Sequence, residues 1–367
     1  MIGGEGAAST ALLTSMYMAE LAKKFNAYTV LLEHRYYGES VPVPELSTEN
    51  LKYLSSEQAL KDTEEFILNL KKKLSLESNK LVDRAGNLAA WFREKYPNIA
   101  VGAIASSAPV EAEVDFKEYL GVVSTALSKQ CSDNIRKAFK QLDDELKTPS
   151  GVANIRKLFS LCDTFTGTNA MDVHYFLQSS VVGLERYVQY NSKAQMNQVC
   201  AIVNDEKRGA TPLERYATLF QVMPGQCRSI QYKDFVAGLK ADRSGCNLAN
   251  TRNWIYQTCT EFGYYQTTGH KDSAFGANLP VEFFTNWCTD VYGPEIMAQT
   301  VRKAVDNTNA YYGGYKPVVT NVVFPNGSND PWHQLSVLHD LINSTKSTVI
   351  DGYAHCGDMY APTGADI

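Results

Sequence analysis

Two predicted strands near the end of the chain most constrain what it can fold into. Residues 317–324 are rich in apolar β-branched side chains, which is typical of a strand buried on both faces. A break rich in Pro, Asn and Gly follows, and then a helical pattern over 333–343 and a second strand at 347–350. Asp330 comes just after the first strand and His355 just after the second. Since parallel strands in an open α/β sheet place their carboxyl ends at one edge, we expect these two side chains to meet there.

An acid followed by a histidine near the end of a chain is the order of the last two members of a Ser–Asp–His triad in an α/β-hydrolase fold. Asp330 could instead simply cap the helix predicted from 333, and His355 could be an ordinary loop residue. For each of the two residues taken alone, this structural role is the simpler interpretation. Both residues together, in this order and each after a strand, favour a triad. We expect Asp330 to reach the His355 ring, because each residue is positioned by its own strand.

The N-terminal segment also predicts a loop at the functional edge. A Gly-rich turn within residues 1–6 precedes an amphipathic helix predicted over 9–24. Such a turn commonly supplies a backbone N–H to an oxyanion hole, and Gly4 and Glu5 are the candidates. The spacing of the glycines fits neither dinucleotide-binding nor P-loop motifs, so a phosphate cradle is the weaker hypothesis.

A strand predicted over 28–32 leads into a charged, aromatic loop. Glu33, Arg35 and Tyr36 in this loop are candidates for the edge of the site. The alternative is that a buried Glu33–Arg35 ion pair merely holds the loop in place.

The nucleophile is the member of the triad that is missing. In an α/β-hydrolase, a strand should lead into Gly-x-Ser-x-Gly and then a helix. A helix is predicted over 88–96 and a further strand over 100–105, but residues 80–86 contain no Ser.

Composition narrows the class of protein. The net charge is −5 with no basic stripe, so nucleic acid is not an expected partner. No apolar run is long enough to span a membrane, and neither a metal nor a cofactor is expected. The eight cysteines form no C-x-x-C pair, and seven of them lie between residues 131 and 288, which favours clustered disulfides and an oxidising compartment. No signal peptide pattern is present at the N-terminus.

The sequence predicts an incomplete α/β-hydrolase sheet interrupted by a helical insertion. Strand patterns fade after about residue 110 and return at about 316, with helices predicted over 134–146, 194–204 and 294–306. We therefore divide the chain into 1–110 and 316–367, which form the sheet domain, and 111–315, which forms a cap that roofs the site.

Several motifs, in this order along the chain, resemble one family. They are Glu-His-Arg-Tyr-Tyr-Gly-Glu-Ser at 33–40, Tyr-Leu-Ser-Ser-Glu-Gln-Ala-Leu at 53–60, Gly-Asn-Leu-Ala-Ala-Trp at 86–91, Ala-Ser-Ser-Ala-Pro-Val at 105–110, Tyr-Gln-Thr-Cys-Thr-Glu at 256–261, Asn-Gly-Ser-Asn-Asp-Pro-Trp at 326–332 and Ala-His-Cys at 354–356. The family is that of the serine exopeptidases that include lysosomal Pro-X carboxypeptidase, dipeptidyl peptidase II and thymus-specific serine protease. The thymus-specific branch is the most similar.

The resemblance implies a lysosomal or secreted glycoprotein that hydrolyses peptides near proline at a chain terminus. Peptides would be its partners, and a homodimer is a further candidate assembly. Asp330 and His355 would be the acid and the base of the triad. Counting back from Gly86, the nucleophile of the family falls on Asp83. The leader and first strands of the family, and its last helix after the histidine loop, are also missing from this sequence.

Three hypotheses follow from the missing serine. The chain could belong to the exopeptidase lineage with a sequence that has lost its elbow, or it could be a non-catalytic relative that binds peptides. A third hypothesis makes Asp83 a carboxylate nucleophile, as in other branches of the fold. Leu81 and Arg84 argue against it, because a tight turn needs small neighbours.

The resemblance also implies a pattern of disulfides. The expected pairs are Cys131–Cys200, Cys162–Cys246 and Cys259–Cys288, which leaves Cys227 and Cys356 without assigned partners.

Overall fold

The computed structural model describes residues 1–241 and 247–360. Its described part is a mixed α/β structure, as the sequence predicted, and its main sheet is parallel. The strands are β1 (Val82–Ala85), β2 (Gly102–Ala105), β3 (Glu113–Asp115), β4 (Gly263–Tyr265), β5 (Val322–Gly327) and β6 (Thr345–Ile350). The helices are α1 (Ala11–Thr14), α2 (Tyr17–Phe25), α3 (Ser56–Leu74), α4 (Asn87–Lys95), α5 (Glu118–Ala126), α6 (Lys129–Glu145), α7 (Pro149–Leu158), α8 (Ala170–Tyr190), α9 (Lys193–Asn204), α10 (Pro212–Ala217), α11 (Tyr232–Lys240), α12 (Asn247–Gln257), α13 (Val281–Tyr292) and α14 (Ala298–Tyr312).

The main sheet has the order β1-β2-β5-β6, with every neighbouring pair parallel. Strands β5 and β6 are paired along their full length, from Val322 opposite Thr345 to Gly327 opposite Ile350. The prediction that the last two strands are parallel neighbours is therefore confirmed. Strand β5 lies a few residues later than the predicted 317–324, whereas β6 ends where predicted and only begins two residues earlier. All four strands end at the same edge, as a parallel sheet requires.

Helices α5 to α14 lie between β2 and β5 in the chain, together with the small parallel pair of β3 and β4. Polar caps start several of them: the side chains of Ser128, Thr148 and Asn169 accept backbone N–H groups of α6, α7 and α8. Their apolar faces pack into one core, in which aromatic rings are prominent. Trp332, directly after the Asp330 loop, packs against Phe116, Tyr119 and Tyr264 with ring centroids 5.2–5.6 Å apart.

Three sequence predictions about secondary structure are wrong. The helix expected over 333–343 is only a short 3-10 helix, Pro331–Leu335. Carbonyls that a longer helix would use internally bind elsewhere: that of Leu335 accepts from Glu111 N–H, and that of Val337 accepts from the Ser347 hydroxyl. Tertiary hydrogen bonds therefore replace the helix.

The other two errors lie near the N-terminus. Residues 28–32 form no strand, and only Leu32 bridges to Ile2. Ile2 also donates its N–H to the Arg84 carbonyl, so a short extended segment lies between residue 32 and β1. The helix expected over 9–24 is split into α1 and α2 around Ser15 and Met16.

The disulfides correct one predicted pair. Cys131–Cys200 and Cys259–Cys288 are formed, with Cα atoms 5.2 and 5.6 Å apart. Cys162 pairs with Cys227 instead of Cys246, at 5.0 Å, so the predicted Cys162–Cys246 pair is wrong. The reason is a short parallel bridge, in which Cys162 N–H donates to the Arg228 carbonyl and holds the two loops side by side. Cys246 itself lies outside the described residues.

Within the described residues, no helix combines the length and the apolar character that crossing a bilayer would need.

Candidate active site

Asp330 lies in the loop that follows β5 and is fully buried. The loop begins with a tight turn, in which Asp330 N–H donates to the Gly327 carbonyl. One carboxylate oxygen, Oδ1, accepts the backbone N–H of Trp332 at 3.0 Å and so caps the 3-10 helix. The capping role considered from sequence is therefore real, and it leaves Oδ2 available for a second partner.

That second partner is His355, in the loop that follows β6. Its Nδ1 lies 2.9 Å from Asp330 Oδ2. Because an ionised carboxylate only accepts hydrogen bonds, Nδ1 carries the proton and Nε2 is the nitrogen left to exchange a proton with another group. The His355 side chain keeps 20% of its surface exposed.

Backbone hydrogen bonds fix the two loops against each other. Asn329 N–H donates to the Tyr353 carbonyl at 2.9 Å, and Gly352 N–H donates to the Ser328 hydroxyl at 2.7 Å. Gly327 allows this close approach, since a Cβ on it would come within 2.3 Å of the Tyr353 oxygen. The pairing of Asp330 with His355 therefore rests on contacts made by these two loops themselves.

Helix α8 completes the surroundings of His355. Its Gln189 carbonyl accepts the backbone N–H of His355 at 2.8 Å, and the Tyr190 ring meets the imidazole edge-on with centroids 5.8 Å apart. The sequence does not single out either residue, because a helix of a predicted insertion gives no local signal that its last turn reaches a distant histidine. The contact fits the expectation that the insertion covers the site.

The neighbours of His355 stabilise the charged form of its imidazole. Burial lowers the pKa of the imidazole, but the neighbouring Cys356 thiol and the Asp330 carboxylate more than offset burial and raise the pKa well above its ordinary value. Asp330 therefore both orients the ring and stabilises its charged form, which are the two tasks of the acid in a triad.

The region where a nucleophile elbow should lie is built differently. Strand β1 ends at Ala85, and α4 begins at Asn87 with only Gly86 between them. Asp83 is therefore inside the strand, opposite Ala103, and the turn into the helix is at Gly86. No side chain that could act as a nucleophile stands at this turn.

Asp83 makes contacts of a structural kind. It is buried, its Oδ1 accepts the Arg84 N–H at 2.7 Å, and the Met1 ammonium lies 3.9 Å away. Burial raises the pKa of Asp83, although the Met1 ammonium and the Arg84 N–H act in the opposite direction. These contacts give no support to a carboxylate nucleophile at Asp83.

The candidates for an oxyanion hole, Gly4 and Glu5, are both exposed. Gly4 has open space around it, with nothing within 4 Å of the position that a Cβ would take. The charge of Glu5 reaches Tyr190: burial raises the pKa of this tyrosine, His355 lowers it, and Glu5 raises it further. Glu5 is thus electrostatically linked to the ring that packs on His355.

The loop after residue 32 is held by polar contacts other than the expected Glu33–Arg35 pair. Glu33 accepts the N–H groups of Ala8 and Ser40, both at 2.9 Å, while Arg35 forms an ion pair with Asp62. Gly38 leaves room for the Glu33 carboxylate, which a Cβ would meet at 2.0 Å. Tyr36 is buried and donates its hydroxyl to the Asn50 carbonyl. The contacts of all three candidates hold the loop.

Comparisons with known proteins agree on one family. A family profile described as Serine carboxypeptidase S28 matches residues 1–367. The chain is 34% identical to the Caenorhabditis elegans protein named "Putative serine protease K12H4.7", over 100% of this chain and 77% of that protein. It is 33% identical to the human thymus-specific serine protease, over 98% and 74% of the two chains. It is 28% identical to the mouse lysosomal Pro-X carboxypeptidase, over 95% and 73%.

Proposed function

Because the chain belongs to the serine carboxypeptidase S28 family of hydrolases, we propose that Asp330 and His355 are the acid and the base of a Ser–His–Asp exopeptidase triad. The observation that carries the proposal is the 2.9 Å contact between His355 Nδ1 and the fully buried Asp330 carboxylate. In this sequence the serine partner is missing. We therefore propose that the chain as it stands descends from serine peptidases but lacks the nucleophilic serine.

The chemistry that this pair would perform follows from its geometry. With Nδ1–H donated to Asp330, Nε2 can accept a proton from a serine as that serine attacks a peptide carbonyl. The resulting imidazolium, stabilised by Asp330, can then protonate the leaving amine. Backbone N–H groups of the exposed turn at Gly4 and Glu5 are the candidates to stabilise the oxyanion.

The substrates we propose are peptides cleaved near proline at a chain terminus. Two aromatic rings flank the imidazole, Tyr190 at 5.8 Å and Trp332 at 6.5 Å between centroids. Flat apolar rings of this kind suit the side of a proline ring. A cap of residues 111–315, which contributes Tyr190, would select peptide ends over internal bonds.

A lysosomal or secreted location is the setting we propose for the chain. Three disulfides support it, since such bonds persist in oxidising compartments. One relative is itself named as a lysosomal enzyme.

Active-site labelling tests the proposal. A fluorophosphonate probe, which needs an activated serine, should not label the chain, and peptides that end in Pro-X should not be hydrolysed above background. Strong labelling that His355→Ala removes would show that a serine nucleophile is present and would overturn the proposal as stated.

A non-catalytic peptide-binding role is the second candidate. It is favoured by the direct passage from β1 through Gly86 into α4, which forms a continuous strand, turn and helix without the elbow. Sequencing the transcript between the codons of Lys80 and Gly86 separates the two candidates. An additional in-frame piece that encodes Gly-x-Ser-x-Gly supports the peptidase, and an uninterrupted reading supports the binding protein.

A further inference from the structure

Tyr119, on α5, contacts the neighbours of both candidate triad residues. It is 1% exposed, and its hydroxyl donates to Gln189 Oε1 at 2.6 Å. The backbone carbonyl of the same Gln189 accepts the His355 N–H at 2.8 Å. The Tyr119 ring also meets the Trp332 ring edge-on, with centroids 5.6 Å apart, and Trp332 donates its backbone N–H to Asp330 Oδ1 at 3.0 Å. A single side chain of α5 is therefore linked through one intermediate residue to each member of the acid–base pair.

Gln189 connects Tyr119 with the His355 loop. It lies in the last turn of α8, where backbone carbonyls have no partner within the helix. The His355 N–H binds this carbonyl, so the end of α8 and the backbone of His355 hold each other in position. The Gln189 side chain is itself buried, and the Tyr119 hydroxyl binds its Oε1. Removing that hydroxyl would leave a buried amide oxygen without this donor and would loosen the last turn of α8.

Tyr119 is itself held in place and remains a hydrogen-bond donor. Its ring packs edge-on against Phe116 with centroids 5.6 Å apart, and the Phe116 N–H donates to the Tyr265 carbonyl at 2.9 Å. Burial raises the pKa of Tyr119 well above its ordinary value, and the charges of Glu185 and Asp330 raise it further. The phenol therefore stays protonated at neutral and acidic pH and can donate to Gln189 throughout that range.

We propose that Tyr119 is a positioning residue for the acid–base pair, and that its hydroxyl fixes the His355 loop while its ring supports the Asp330 loop. This inference rests on the proposed function of Asp330 and His355 and adds to their support a residue from the helices between β2 and β5. The hydroxyl can be removed alone, because phenylalanine keeps the ring in place against Trp332.

Tyr119→Phe tests the hydroxyl in the full chain with its disulfides intact. Isotope-labelled histidine gives NMR signals from the six histidines of the chain, and His355→Gln identifies those of residue 355. We expect the backbone N–H and the Nδ1–H of His355 to exchange with water about tenfold faster in Tyr119→Phe, because a buried hydrogen bond that holds the loop is lost.

Tyr216→Phe is the matched control. Tyr216 is also fully buried, and its hydroxyl donates to the carbonyl of Ser180, in the middle of the same helix α8, at 2.6 Å. The variant therefore removes a similar hydrogen bond to α8 that has no link to His355. Both His355 exchange rates should stay as they are in the unaltered chain.

Gln189→Met removes the acceptor of the same hydrogen bond and keeps the length of the side chain. It takes the place of Tyr119→Phe if that variant does not fold, and it should raise the two exchange rates by a similar factor. In the double variant the rates should be no higher than in either single variant, because the two substitutions remove one and the same hydrogen bond.

Two results would overturn the proposal: His355 exchange rates in Tyr119→Phe that equal those in Tyr216→Phe, or effects of Tyr119→Phe and Gln189→Met that multiply in the double variant. Asp330→Asn separates this outcome from a failure of the proposed function. If Asp330→Asn shifts the His355 Nδ1–H signal and Tyr119→Phe changes nothing, the positioning role of Tyr119 alone is wrong. If neither variant changes the signal, the pairing of Asp330 with His355 is wrong as well.

Discussion

Two regions at the carboxyl-terminal edge of the sheet differ in the side chains that they present: the loops after β5 and β6, and the turn after β1. After β5 and β6, the loops bring Asp330 and His355 within 2.9 Å of each other. After β1, the chain passes through Gly86 straight into α4, and no reactive side chain is presented. Both halves belong to one parallel sheet with paired strands, so the sheet alone does not build the site.

The difference shows which contacts fix the positions of Asp330 and His355. The acid–base half is fixed by bonds between its own loops, such as that from Asn329 N–H to the Tyr353 carbonyl, and by the Gln189 carbonyl of α8. None of these contacts involves a residue of the β1–α4 turn. The positions of Asp330 and His355 therefore do not depend on the turn between β1 and α4.

The largest change we expect comes from rebuilding the missing half. Inserting Gly-Gly-Ser-Tyr-Gly between Ala85 and Gly86 places a serine elbow between β1 and α4. It should confer fluorophosphonate labelling and raise peptide hydrolysis by several orders of magnitude, because loss of a triad serine costs about 10⁶ in kcat. The same insertion with Ala for Ser is the control and should do neither.

In that rebuilt chain, Asp330→Asn should lower kcat by about 10⁴, because the imidazole loses its correct tautomer. An unchanged kcat would show that Asp330 is not the acid of the triad.

The buried carboxyl group of Glu185, on the helix that contacts the His355 loop, should make the stability of the protein depend on pH. Glu185 lies one turn before Gln189 on α8, and burial raises its pKa from the ordinary 4.5 to about 8. The pKa of Glu185 is higher in the folded protein than in the unfolded protein. The stability that protonated Glu185 contributes is therefore fully present below about pH 4.5 and is lost as the pH rises to about 8.

Glu185→Gln should therefore be more stable than the unaltered chain at pH 8, by about 3–5 kcal/mol, and similar to it near pH 4. Urea unfolding at the two pH values measures the difference. Glu282→Gln, on the exposed face of α13, is the control and should change stability by no more than about 0.5 kcal/mol. Parallel pH curves for Glu185→Gln and the unaltered chain would contradict the expectation.

Two glycines, one in each half, give a matched pair of substitutions. A Cβ on Gly327 would lie 2.3 Å from the Tyr353 oxygen, whereas a Cβ on Gly86 would lie 3.7 Å from its nearest neighbour, the Ser106 oxygen. Gly327→Ala should therefore destabilise the protein by about 1–3 kcal/mol and displace the His355 loop, while Gly86→Ala should stay within about 0.5 kcal/mol. Thermal unfolding of the two variants measures the loss of stability. Equal losses in the two variants would contradict the expectation and would mean that the His355 loop moves easily to make room for the added Cβ.

The smallest effect should come from the other buried aspartate. Asp83→Asn removes a buried carboxylate whose Oδ2 has no hydrogen-bond partner in the described structure, so the free energy of unfolding should change by less than about 1 kcal/mol. Labelling of the rebuilt chain by a fluorophosphonate should also stay unchanged. Loss of labelling in Asp83→Asn would bring Asp83 into the site.

Sequence reasoning found the Asp330 and His355 positions because strand ends in a parallel sheet converge, whatever the connection between the strands. It failed for the connection itself, where the carbonyls of Leu335 and Val337 bond to distant residues. The Cys162–Cys227 pair was missed for a similar reason, since a bridge between two loops leaves no periodic pattern in the sequence. The contact from Gln189 to His355 is likewise a tertiary contact without a local signature.

The pairing of Asp330 with His355 in the chain as it stands is tested most directly by proton NMR of the imidazole. We expect a strongly downfield Nδ1–H resonance that disappears in His355→Gln and moves upfield in Asp330→Asn. We also expect a His355 pKa above its ordinary value that falls when Asp330 is replaced. The resonance should keep its position in Asp83→Asn. A His355 signal that is the same with and without the Asp330 carboxylate would contradict the claim that this half of the triad is intact.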